Sequence, residues 1–77
     1  MLMANGKNTT ANVSGDYLGY IIFGDKQAGE YAIIRGAVDA APAVGDYPGR
    51  IEFHTTADGA SGATERLRID SNGTAIL

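Results

Sequence analysis

The sequence predicts an all-β fold of short antiparallel strands in two repeated strand–loop–strand units, and three observations predict it. Tyr17-Leu18-Gly19-Tyr20-Ile21-Ile22-Phe23 is aromatic and β-branched, the composition that fits a pleated surface. Arg50-Ile51-Glu52-Phe53-His54-Thr55-Thr56 alternates apolar and polar residues with a period of two. Eleven glycines in 77 residues are about twice the usual share of ~7%, and most of them fall between such runs, where turns belong.

Along the chain, residues 1–14 read as a polar N-terminal arm, with a weak strand around Ala11–Val13. Residues 15–77 form a single β module. The run 17–23 is its first strong strand; an internal glycine and the lack of a cap disfavour helix there. A loop over 24–29 leads to a strand from Glu30 to Val38, centred on Ile33 and Ile34. A long connection over 39–49 carries Pro42, Gly45, Pro48 and Gly49. The alternation over 50–56 predicts a half-buried strand, with Ile51, Phe53 and Thr55 inward and Arg50, Glu52, His54 and Thr56 toward water. After a turn region over 57–63, Glu65 to Ile69 alternates again, with Leu67 and Ile69 inward and Arg66 and Arg68 outward. Asp70-Ser71-Asn72-Gly73 is a tight-turn signal; its Asn-Gly pair favours a type I′ hairpin to a returning strand over 74–77.

The chain also repeats itself. Gly15-Asp16-Tyr17-Leu18-Gly19-Tyr20-Ile21-Ile22-Phe23 matches Gly45-Asp46-Tyr47-Pro48-Gly49-Arg50-Ile51-Glu52-Phe53 at six of nine positions, offset by 30. Each copy is followed by a glycine-containing loop and a strand led by Glu30 or Glu65, so the units span 15–38 and 45–70. Period-two geometry puts Gly19, Ile21 and Phe23 on one face and Gly49, Ile51 and Phe53 on the equivalent face. With Ile34, Leu67 and Ile69 these are the predicted core and oligomer interface. A glycine at the start of each face leaves room for another backbone.

Size argues that burial occurs between chains. A domain of 77 residues has a marginal core unless disulfides, metal or association support it. There is no cysteine, and His54 is the one histidine; a Cys-based zinc site is excluded and a His-based one is not expected. Much of the 44% hydrophobic content is alanine, and there is no tryptophan. Association with copies of the same chain is the remaining route. A net charge of −3 lacks the basic stripe that nucleic acid requires. No run approaches the ~18 apolar residues of a membrane span, and residues 1–7 have no signal-peptide character.

Residues Pro48-Gly49-Arg50-Ile51-Glu52-Phe53-His54-Thr55-Thr56-Ala57-Asp58-Gly59, followed by Thr64-Glu65-Arg66-Leu67-Arg68-Ile69-Asp70-Ser71-Asn72-Gly73, resemble a segment of bacteriophage tail fibre proteins. In that family the segment often lies upstream of a C-terminal intramolecular chaperone domain. Leu18-Gly19-Tyr20-Ile21-Ile22-Phe23-Gly24 is similar to the strand that precedes it there. The resemblance covers roughly residues 16–74. It implies an elongated, intertwined β homotrimer in a virion fibre that contacts the host surface, with other virion proteins or a host glycan as further partners. Family members are longer, with an attachment region before this segment and the chaperone after it. The resemblance carries no catalytic motif, no metal site and no cofactor.

The candidate sites are weighed on chemistry. His54 reads as a surface residue, without the nucleophile and orienting acid a catalytic role needs. Asp58-Gly59 and Asp70-Ser71-Asn72-Gly73 lack the distal Glu of a calcium loop and read as turns. No acid–base pair, metal cluster or phosphate loop is evident, so no enzymatic activity is expected. Tyr20, Tyr31 and Tyr47 are the candidates for stacking on a sugar, in an alternative reading as a small carbohydrate-binding module; such tyrosines more often fill interfaces.

Overall fold

A computed structural model of the protein describes residues 2–77 and is all-β. Five strands, β1 (Tyr17–Gly24), β2 (Glu30–Val38), β3 (Gly49–Thr56), β4 (Ala63–Ile69) and β5 (Ala75–Ile76), form one antiparallel sheet in chain order. Sequential strands pair as neighbours, across the long 39–48 connection as well as the shorter loops, so the sheet is a meander. The two repeat units are the hairpins β1–β2 and β3–β4. Their shared Gly-Asp steps are used alike: Gly15 and Gly45 both have positive φ, 93° and 84°, a conformation glycine adopts without steric cost.

The predicted weak strand at Ala11–Val13 does not form. Thr9–Ala11 is a single 3-10 turn. Asn12 is buried there, accepting from Asn5 Nδ2 at 2.6 Å. The arm is anchored to the sheet: Asn5 also donates to the Tyr17 carbonyl at 3.2 Å, and Lys7 reaches Asp16 at 2.8 Å. Met3 crosses Gly19 so closely that a Cβ on that residue would lie 2.5 Å from Met3 Cβ. The room expected for another backbone at Gly19 is therefore taken by the Met3 side chain of the chain's own arm.

The β4–β5 turn also differs from the predicted type I′. That type needs positive φ at both central residues. Here Gly73 is the residue with positive φ, at 80°, and its N–H donates to the Asp70 carbonyl at 2.9 Å. This is a type I turn closed by a left-handed glycine. The Asp70 carboxylate selects it by accepting from the Asn72 and Thr74 amides at 3.0 and 2.9 Å.

The register shifts three times, once at the β1–β2 end where Tyr31 is extra, and the other two bulges decide which side chains share a face in the middle of the sheet. Between β1 and β2, Tyr17 opposes Ala37 while Gly19 opposes Gly36, leaving Leu18 extra. Between β3 and β4, Phe53 opposes Leu67 while His54 opposes Glu65, leaving Arg66 extra. Each bulge shifts the alternation by one. Tyr17 and Tyr20 thereby reach the same face, as do Glu65 and Arg68. Arg66 is turned to the opposite face from Arg68 and donates to Thr55 Oγ1 at 3.0 Å. The expectation that Arg66 and Arg68 point the same way assumed an unbroken alternation.

Candidate functional site: an open apolar face backed by an ion-pair cluster

Opposed residues in a sheet project to the same side, so register defines both faces. Ile21, Ile34, Phe53 and Leu67 form a continuous row across β1 to β4. Gly19, Gly36, Ile51 and Ile69 form the row on one side of it, and Phe23, Ala32, Thr55 and Thr64 the row on the other. Gly49 lies on this face too, opposite Val38. All nine residues predicted for the interface thus share one side of one sheet. Ile34, Phe53 and Leu67 are half-buried in the middle of the face. Ile21, Phe23, Ile51 and Ile69 remain exposed, Phe23 at 52%.

The opposite face was expected to be wet, and His54 to be a surface residue. Both expectations are overturned. Glu52 is 2% exposed and His54 9%, and Ile33 and Ala37 are buried beside them. Long side chains supply the cover. Arg50 Nε donates to Glu52 Oε2 at 2.7 Å, and His54 Nε2 meets Glu52 Oε1 at 2.9 Å. Arg35 lies 3.9 Å from the same carboxylate. The Arg35 guanidinium stacks 4.0 Å from the centre of the Tyr17 ring and 5.7 Å from that of Tyr20, so two aromatic rings and a cation roof this part of the sheet. Arg68 grips both oxygens of Glu65, at 3.0 and 2.9 Å. At the sheet end, Asp39 accepts from the Ser71 amide at 3.0 Å and pairs with Arg50 at 3.4 Å.

Burial opposes ionisation of Glu52, but the hydrogen bonds from His54 and Arg50 and the charge of Arg50 outweigh it, so its carboxyl lies below the usual glutamate range. The ligand atoms of Glu52, His54 and Glu65 lie within 4.8 Å of one another. A divalent ion there would meet the positive charges of Arg35, Arg50 and Arg68. The arrangement is chemically an ion-pair network, with both carboxylates already neutralised. Sequence reasoning missed this cluster because the bulge at Arg66 brings Glu65 to it, and single-strand alternation does not reveal bulges.

The three candidate sugar-contacting tyrosines are exposed, but the fold separates them. Tyr20 lies on the polar face near Arg35. Tyr31 is the second residue of β2, and its hydroxyl donates to Asp25 Oδ2 at 2.6 Å. Tyr47 lies in the 39–48 connection at the other end of the sheet, in the wall of a hollow beneath the arm with Met3, Leu18 and Pro48. Among the described residues, no helix is long and apolar enough to cross a membrane.

Compared with known proteins, the chain matches no protein-family model and no curated protein.

Proposed function

We propose that the chain is a structural assembly module that associates through its apolar sheet face, as a homotrimeric β element of the tail-fibre kind. The observation that carries the reading is the row Ile21, Ile34, Phe53, Leu67, flanked by Phe23, Ile51 and Ile69, with no layer packed over it. A sheet buries an apolar face against another element; among the described residues the N-terminal arm reaches this face at Gly19, through Met3, and leaves the row itself open. Surface area agrees. The chain exposes 5366 Å², whereas a folded monomer of 8.0 kDa exposes about 4450 Å². The excess, roughly 900 Å², is close to the ~800 Å² each partner contributes to a standard interface. The threefold order and a place in the virion rest on the resemblance of residues 16–74 to tail fibre segments. We read the role as non-catalytic, because in the compact group Glu52, His54 and Glu65 both carboxylates are tied up in arginine pairs.

Native mass spectrometry tests the reading. Three copies of 8.0 kDa give about 24 kDa, well below the size at which single domains stop growing. A folded monomer at micromolar concentration overturns it.

One observation favours host-glycan contact as a second reading. The Tyr31 ring is held by Asp25 beside an open cleft lined by Glu30, Asp58 and Ser61, a setting of aromatic face and polar acceptors that suits a sugar. A glycan-array signal that disappears with Tyr31→Ala would support it; a signal unchanged by that substitution would remove it.

A further inference from the structure

Gly36 sits in the middle of β2, and the isolated chain gives no reason for a glycine there. Its φ lies outside the left-handed range, and a Cβ built on it meets nothing within 4 Å. Glycine inside a strand weakens the strand, and it commonly marks a place where another group approaches closely. Around Gly36 the apolar face is indented into a hollow of about 340 Å³, walled by Leu18, Ile51 and Ile69. The hollow is open and mostly apolar. The bulge at Leu18 and the bare backbone of Gly36 create it, because Gly36 raises no side chain into the space.

The same face carries a matching projection. Phe23 is its largest exposed side chain, at 52%. It stands two rows away from Gly36, opposite Ala32, and so cannot fill the hollow of its own chain. An aromatic side chain of this kind buries 150–250 Å² when it is enclosed.

We infer that the hollow over Gly36 is a socket for the Phe23 side chain of a second copy of this chain. The inference rests on the assembly reading and deepens it by naming the contact. The occupant follows from three features: an apolar socket that the lone chain leaves empty, an exposed aromatic projection on the same face, and an excess of exposed surface about equal to one partner's share of a standard interface. Projection and socket lie at separate positions, so the contact passes from copy to copy in a way that suits closure of a ring.

The test uses Gly36→Val and Phe23→Ser, alone and together, with association followed by sedimentation and folding by circular dichroism. The open space above Gly36 lets the valine enter the folded chain, so the expected result is a folded protein whose association is weakened at least tenfold. Phe23→Ser is expected to weaken association similarly. The double variant is expected to be little weaker than either single one, because both remove the same contact. If Gly36→Val does not fold, Phe23→Ser carries the test, since its side chain is half exposed in the lone chain. Wild-type association by Gly36→Val or by Phe23→Ser overturns the socket while leaving the assembly reading in place. A monomeric wild-type protein overturns both.

Discussion

Glu52 and Phe53 are neighbours on β3 and point to opposite faces, and the carboxylate is the more deeply buried of the two. This inverts the usual relation between a sheet and water. It is tolerated because Glu52 is matched by Arg50, His54 and Arg35, whereas on the side of the sheet bearing Phe53 the described residues supply cover at Gly19, from Met3, and leave Ile21, Phe23, Ile51 and Ile69 exposed. In the lone chain the stabilised face is the ionic one. The apolar face is left for association.

Glu52→Gln should therefore destabilise the fold by roughly 3 kcal/mol, because it strands the Arg50 and Arg35 charges on a buried face. Urea unfolding at fixed protein concentration measures this. An unchanged midpoint would show that the cluster contributes nothing.

Acid should unfold the protein through the same residue. The Glu52 carboxyl is held below its ordinary value, so its contribution is complete above the unfolded-state pKa of about 4.3. It is lost as pH falls through the lower folded-state value. Stability should fall below about pH 4, and Glu52→Gln should flatten that part of the profile. A parallel profile for the variant would assign the acid sensitivity to other carboxylates.

Phe53→Ala should lower both stability and association, since Phe53 joins the central row of the apolar face. Once the face is covered, the loss approaches the roughly 3–5 kcal/mol of a core Phe→Ala change. Sedimentation and thermal unfolding on one sample separate the two effects. A variant that is fully folded yet monomeric would show that Phe53 serves association alone.

Gly19→Ala should release the N-terminal arm, because the added Cβ would fall 2.5 Å from Met3 Cβ and 2.8 Å from its sulfur. Trypsin cleavage after Lys7 should accelerate. Gly36→Ala, which meets open space, is the control and should cleave at the wild-type rate.

Gly73→Ala should cost about 1 kcal/mol, because alanine resists the left-handed conformation that closes the β4–β5 turn. For a domain of this size the melting temperature should drop by about 4–8 °C.

The strands were legible in the sequence because their signals are local. The reading of 17–23, 30–38 and 50–56 falls within a residue of β1, β2 and β3. The grouping of Ile51 with Phe53, and of Glu52 with His54, needed only the period of the pleat. The arm was misread around Ala11–Val13, where Asn12 side-chain bonds override weak strand propensity. The β4–β5 turn was misread because the Asp70 carboxylate outweighs the preference of an Asn-Gly pair. Arg66 was misplaced because a bulge depends on how two strands are paired.

The sequence by itself determined the class: an antiparallel β protein, a duplicated hairpin, and one face built from Gly19, Ile21, Phe23, Ile34, Gly49, Ile51, Phe53, Leu67 and Ile69. Only the tertiary structure decided which face of the sheet the lone chain buries. Alternation separates two faces but does not rank them. The ranking came from bulges at Leu18 and Arg66 that set Tyr17 beside Tyr20 and Glu65 beside Arg68, and from long side chains that roof Glu52. Those are cross-strand relations, fixed by register between residues far apart in the chain, and no local pattern encodes them.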